Sequence, residues 1–225
     1  MSKAIYGTGH SKYLDKVVVN KRIEIIKLIK SKILLSEISS CLDIGTTEDF
    51  DNQSSNIIIK NFSKIKIKKS ISDQNIDNSF FDISIKKSIT EDLSLNEIEK
   101  LSSDLVIASA TIEHVGSYEK QIKMFDNVIK LSKKFFVITT PNRFYPIDFH
   151  TKIPLLHWLP KPIHRMLLKT IGLKYFSDED KLNLLTKKEL IDIIKNDKYI
   201  NIDFSIETIK LFGLVSNFIV VGKIK

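Results

Sequence analysis

The sequence predicts an α/β fold, a doubly wound and mainly parallel seven-stranded sheet closed by a C-terminal antiparallel hairpin. Three observations predict it. Short apolar runs alternate with segments of helical periodicity, the pattern of crossovers that put helices on both faces of a sheet. The last two strand-like runs are joined by a link around 211–216 with no room for a crossover helix, so they pair antiparallel. The 225 residues, 43% of them apolar, suit one core better than two. A single domain is expected over 1–225, with a helical extension at 1–38 and a lid-like insertion at 141–185.

Ile23, Ile25, Ile26, Leu28 and Ile29 recur at helical spacing among charges, and the pattern continues to Ile33 and Leu34, which predicts a helix over 20–35. Residues 40–45 form a short apolar run stopped by Gly45, a buried parallel strand ending in a turn, with a helical segment beginning near Asn52. Further strands are expected at 64–69, 82–86, 104–109, 134–140, 201–210 and 217–223. The clearest helices are 118–131, which turns Ile122, Phe125, Val128, Ile129 and Leu131 inward, and 186–195, which does the same with Leu190, Ile191, Ile193 and Ile194. All five prolines fall between Pro141 and Pro162, together with His150, His157 and Trp158, and His164 follows. That clustering marks an ordered insertion, and a long connection in a compact domain is more often a functional lid than a passive linker.

Composition excludes several classes. The longest apolar stretch, 211–222, is broken by Gly213, Ser216 and Asn217 and falls short of the ~18 residues of a membrane span. The first ten residues lack the apolar stretch and cleavage site of a secretion signal, so a cytoplasmic location is expected. Cys41 is the only cysteine, which excludes an internal disulfide and a cysteine-rich zinc cluster. The net charge of +8 comes mostly from lysines scattered among Ile and Asn, a solvated surface. No nucleic-acid partner is expected, because the aromatics sit in core-like patterns rather than among the basic residues. Peripheral contact with an anionic membrane surface stays open.

Four stretches could carry chemistry. The first strand ends in Asp43-Ile44-Gly45-Thr46-Thr47, where a glycine turn lets a ligand approach backbone N–H groups and an acid meets hydroxyl or ammonium groups. Asp73 follows the second strand, near where doubly wound folds place a carboxylate for a ribose diol. The missing G-x-G-x-x-G argues against a pyrophosphate-containing dinucleotide. A buried strand runs into Ile112-Glu113-His114-Val115, and another runs into Thr140-Pro141-Asn142-Arg143 on the way to His150.

With these motifs in this order, the chain resembles the class I S-adenosylmethionine-dependent methyltransferases, in particular the methyltransferase type 11 group. Residues 150–160 and 182–185 look like a branch found among bacterial surface-polysaccharide clusters. The resemblance covers about 42–194 and implies a Rossmann-like methyltransferase fold with S-adenosyl-L-methionine as cofactor. It implies that Asp43 and Gly45 face the methionine part, Asp73 the ribose and Asp92 the adenine amino group, with Glu91 as plausible on spacing. It places Ser109 and Ala110 at the sulfonium end. The chain departs from the family at Thr47 and Asp49, which stand where the family has glycine. A positive φ at Thr47 would cost roughly 1–2 kcal/mol. The hydroxyls of Thr46 and Thr47 are expected to offset this by bonding the cofactor's carboxylate.

Methyl transfer to a hydroxyl or amine needs alignment and a base. His114 is the expected base, with Glu113 alongside and His150 as second candidate. For both histidines a purely structural role stays open. Asn142, Arg143 and Tyr145 are expected to wall the acceptor, with Arg143 able to bind a carboxylate or phosphate. The acceptor is expected to be a small molecule or a glycan or lipid-linked compound, methylated on O or N. The alternative is a methyltransferase-like binding module that kept the fold and lost cofactor-dependent activity. No metal ligands are assigned.

Overall fold

The computed structural model describes residues 12–52, 54–195 and 202–225. Seven strands form one sheet: β1 (Ser40–Ile44), β2 (Ile67–Ser72), β3 (Ile83–Lys86), β4 (Ser103–Ser109), β5 (Ser132–Pro141), β6 (Ile202–Leu211) and β7 (Leu214–Ile224). Their order is β3-β2-β1-β4-β5-β7-β6. The first five pair in parallel, while β7 runs antiparallel to both β5 and β6. The expected topology is present. Strand order reverses between β1 and β4, so the loops leaving those strands open a crevice at their C-terminal ends.

Helices cover both faces, as the alternating apolar runs require. On one face Leu42, Ile44, Val106, Phe136 and Ile138 pack against α4 (Tyr118–Leu131) through Met124, Phe125 and Val128, and against α7 (Lys187–Ile194) through Leu190 and Ile193. On the other, Cys41, Leu105, Ile107 and Val137 pack against α1 (Lys12–Lys32) through Ile25, Ile26 and Ile29, and against the single turn α2 (Ile57–Lys60). Within the expected N-terminal extension, α1 is thus part of the core, and residues 1–11 lie outside the described residues. This helix ends earlier than the apolar pattern suggests, because Leu34 and Leu35 are exposed and enter a separate turn at Leu35–Glu37.

Other boundaries moved for identifiable reasons. The expected strand 64–69 is displaced to Ile67–Ser72, since Ile65 closes a turn onto Phe62 and pairing with β1 runs from Ser40↔Ile67 to Ile44↔Ile71. The helical segment expected from Asn52 begins only at Ile57. β7 starts at Leu214 rather than 217, because the hairpin closes in two residues, Phe212 and Gly213, at φ 50° and 79°. Positive φ at both positions marks the mirror-image turn that matches strand twist. Residue 201, where the sixth strand was expected to start, lies outside the described residues.

The insertion after β5 carries a short turn at Leu156–Trp158, α5 (Lys161–Thr170) and α6 (Lys174–Ser177). Residues 182–185 return to the loops that follow β4 and β5. Asn183 N–H donates to Glu113 O at 2.7 Å, Asn183 Nδ2 to Gly116 O at 2.8 Å, and Arg143 N–H to Leu185 O at 3.1 Å. The loops after β4 and β5 are thereby laced together. α3 (Leu95–Leu101) completes the fold, started by a capping box between Ser94 and Glu97. Among the described residues no helix is long and apolar enough to cross a membrane.

Candidate active site

The crevice is built first from the turn after β1. Gly45 has φ +79°, and a Cβ there would sit 2.6 Å from the Thr111 side chain, so both backbone and space demand glycine. Thr111, from the loop after β4, donates to Ile44 O at 3.0 Å, and Ser72 donates to Thr46 O at 2.7 Å. Asp43 lies beneath this lacing, almost fully buried, and accepts a 2.6 Å hydrogen bond from Thr46 Oγ1. Burial pushes its carboxyl up to about 7, and the Thr46 hydroxyl only partly opposes this. Among the described residues no cation pairs with it.

Two observations bear on the expectations for this turn. Thr47 is not among the residues with positive φ, so it carries no left-handed strain. The threonine hydroxyls are also already used: Thr46 bonds Asp43, and Thr47 Oγ1 bonds Asn56 Oδ1 at 3.3 Å. Asn56 clasps the loop further, accepting from Thr47 N–H at 3.1 Å and donating to Thr47 O at 2.9 Å.

The second part of the site comes from β4 and β5. Ser109 Oγ meets Thr139 Oγ1 at 3.2 Å, and Ala110, at φ 51°, donates its N–H to Thr139 O at 2.9 Å. A strained non-glycine residue at the mouth of a crevice is the kind of backbone that persists where geometry matters. The next turn, Ile112–His114, carries Glu113 inward and His114 along the rim. Glu113 is wholly buried; Thr140 Oγ1 donates to its Oε2 at 3.0 Å, while Oε1 has no hydrogen-bond partner among the described residues. Burial raises its carboxyl above the usual range.

The structure brings His114 and His150 together. Their Nε2 atoms are 3.1 Å apart and their rings meet edge to face. Lys181 O lies 2.7 Å from His114 Nδ1, and Asp148 Oδ1 lies 3.1 Å from His150 Nδ1. Burial and the neighbouring His150 depress His114 to about 4, against the Lys181 carbonyl and Asp148. Burial would raise Asp148, but its bonds to and charge interaction with His150, with the Thr151 hydroxyl, outweigh this and hold it below the usual range. Asp148 was missed by sequence reasoning, although its position two residues before His150 is the available signal.

The remaining candidates divide. Asp73 is exposed, one residue past β2. Asp92 is also exposed and pairs with Lys123 of α4. Asn142 donates to Val215 O at 2.9 Å and lines an open cleft of about 510 Å³ with Phe144, Thr186 and Phe218. Arg143 instead donates to His157 O and Leu159 O, at 3.1 and 2.8 Å, and fastens the insertion. Tyr145 is buried, stacked on Phe149, with its carbonyl bonded to His157 Nε2 at 2.8 Å.

No protein-family model and no curated protein matches the chain. Solved structures do. Magnesium protoporphyrin IX methyltransferase from Synechocystis PCC 6803, with S-adenosylmethionine bound, superposes with a TM-score of 0.53 at 9% identity, covering 99% of this chain and 89% of its own. The fold is that of the class I methyltransferases. The methyltransferase NodS of Bradyrhizobium japonicum WM9 gives 0.52 at 9% identity, covering 91% of this chain and 97% of its own. The small RNA methyltransferase HEN1 gives 0.59 at 14% identity over 97% of this chain, which corresponds to 27% of that longer protein. In this fold Asp43 and Ser109 lie at the C-terminal ends of β1 and β4, the two strands that flank the strand-order reversal, and Ala110, Glu113 and His114 follow in the loop after β4.

Proposed function

We propose that the chain is an S-adenosylmethionine-dependent methyltransferase acting on a small-molecule acceptor, glycan and lipid-linked compounds included. The observation that carries this is Asp43: a carboxyl at the reversal of strand order that burial pushes up to about 7, with no cation paired to it among the described residues. The methionine portion of the cofactor is cationic and would supply that charge. Asp43 would hold that portion, Asp73 the ribose diol, and Ser109 with Ala110 the sulfonium end. When bound, the cofactor supplies a methyl group activated by positive sulfur.

The chain's own part is to orient the acceptor and favour loss of its proton. Glu113, His114 and His150 converge at the loops after β4 and β5, beside Ser109 and Ala110. Asp148 accepts from His150 Nδ1, which directs Nε2 into the cluster and makes it more electron-rich. The Lys181 carbonyl does the same for His114. The cluster therefore presents electron pairs where an acceptor proton must leave. The finer placement in the type 11 group and its surface-polysaccharide branch is supported by the sequence of 112–115, 140–143 and 150–160.

Thermal unfolding with and without S-adenosylmethionine tests the reading. Stabilisation of the wild-type chain, absent in Asp43→Asn, is expected. No stabilisation of the wild type, at ligand concentrations in the millimolar range, would contradict it.

A further inference from the structure

The two facing histidines pose an electron-pair problem. A carbonyl and an ionised carboxylate only accept hydrogen bonds, so His114 Nδ1 against Lys181 O and His150 Nδ1 against Asp148 both carry hydrogen. A neutral imidazole protonated at Nδ1 has its lone pair at Nε2. Here the two Nε2 atoms stand 3.1 Å apart, and two lone pairs at that distance repel unless positive charge lies between them. Beside them Glu113, wholly buried, keeps an oxygen without a hydrogen-bond partner. One ligand atom from each of the three residues lies within 4.8 Å of the others. A proton shared by the imidazoles would settle the nitrogens and leave the Glu113 oxygen orphaned. A divalent cation settles all three.

We propose that Glu113, His114 and His150 bind a divalent first-row transition-metal ion, of the kind between manganese and zinc. Two imidazole nitrogens and one carboxylate suit these ions, whereas magnesium and calcium favour all-oxygen sites. Nitrogens about 2.0–2.1 Å from an ion and 3.1 Å from each other subtend about 98° at it, between the octahedral and tetrahedral angles. Rotation of the Glu113 carboxylate completes the set. The Asp148 carboxylate and Lys181 carbonyl behind the rings are the outer contacts that fix a ligating imidazole's tautomer and direction. Three protein ligands leave coordination positions open for an acceptor heteroatom. The metal site stands without the proposed activity; only its role, holding the acceptor and making it more acidic in place of direct proton removal by the imidazoles, rests on that reading.

The test uses the untagged full-length protein. Metal content after purification is measured by mass spectrometry, and protein stripped with a chelator is titrated calorimetrically with zinc or manganese chloride. One bound equivalent is expected. His150→Ala and Glu113→Gln should each weaken binding by more than about 100-fold, and Asp148→Asn by about 10–100-fold, with circular dichroism unchanged. If the Glu113→Gln protein does not fold, His150→Ala decides. Absence of saturable binding, or binding that survives His150→Ala intact, overturns the proposal and leaves a shared proton. S-adenosylhomocysteine titrated into the stripped protein reads the proposed activity separately: its failure to bind removes the function and leaves a measured metal site standing.

Discussion

The two halves of the crevice solve their polar accounting in opposite ways. Around the β1 turn nearly every polar group is satisfied by a neighbour: Thr46 by Asp43 and Ser72, Thr47 by Asn56, and Ile44 O by Thr111. At the ends of β4 and β5 the same fold leaves a buried Glu113 oxygen without a partner and points two imidazole nitrogens at each other. The first half is a preformed, self-consistent loop whose one unmet demand is a counter-charge for Asp43. The second half is incomplete without something positive. On the proposed reading, affinity for a cationic ligand and the chemistry done on it sit in separate loops, joined through the Thr111 bond to Ile44 O.

The largest break in this comparison is Asp43→Asn, which should abolish cofactor binding. It should also change stability in a pH-dependent way. The folded carboxyl keeps its proton up to about 7, whereas an unfolded chain releases it near ~3.9. Folded protein thus holds the extra proton between these values, and stability falls as pH rises through that window. Above it the uncharged variant should melt higher than the wild type, and below ~4 the difference should vanish; melting curves across pH check both.

His150→Ala acts on the other half alone. Turnover should drop by roughly 10²–10⁴, with the cofactor dissociation constant close to wild type. A matched loss in both would place His150 in the cofactor half instead. Gly45→Ala should destabilise by more than about 1–2 kcal/mol, since it adds left-handed strain to a clash with Thr111. A second change, Thr111→Ala, should recover the steric part only, which chemical denaturation would show. The smallest effect is expected for Asn56→Gly, where glycine keeps the positive φ of 54° and frees the Thr47 N–H. Stability should fall by about 0.5–1.5 kcal/mol while cofactor affinity tightens a few-fold, as calorimetry would record.

Much of the scaffold was readable because burial on both faces writes short apolar runs into the chain. α4 follows its apolar spacing from Tyr118 to Leu131, and the hairpin follows from the short link between its strands. α3 and α5 were not anticipated, although Ser94 with Glu97 and Pro162 in the first turn are local start signals. β2 slid by three residues because alternating Lys and Ile over 64–69 fit a strand as well as the true segment does. In the candidate site, Asp43, Gly45, Glu113, His114 and His150 were legible as residue types at or after strand ends. Their partners were not. Asn56 reaches Thr47 only because its backbone turns left-handed, and Lys181 contributes a carbonyl, which no side-chain pattern reveals.

The central claim is that ionised Asp43 receives a cationic sulfur nucleoside. Calorimetric titration of the full chain with S-adenosylmethionine at about pH 6 and about pH 8, either side of the folded Asp43 value, addresses it most directly. Binding should be present, tighter at the higher pH where the carboxylate is charged, and lost in Asp43→Asn. Equal affinity in wild type and variant, or no heat of binding at either pH, would contradict it.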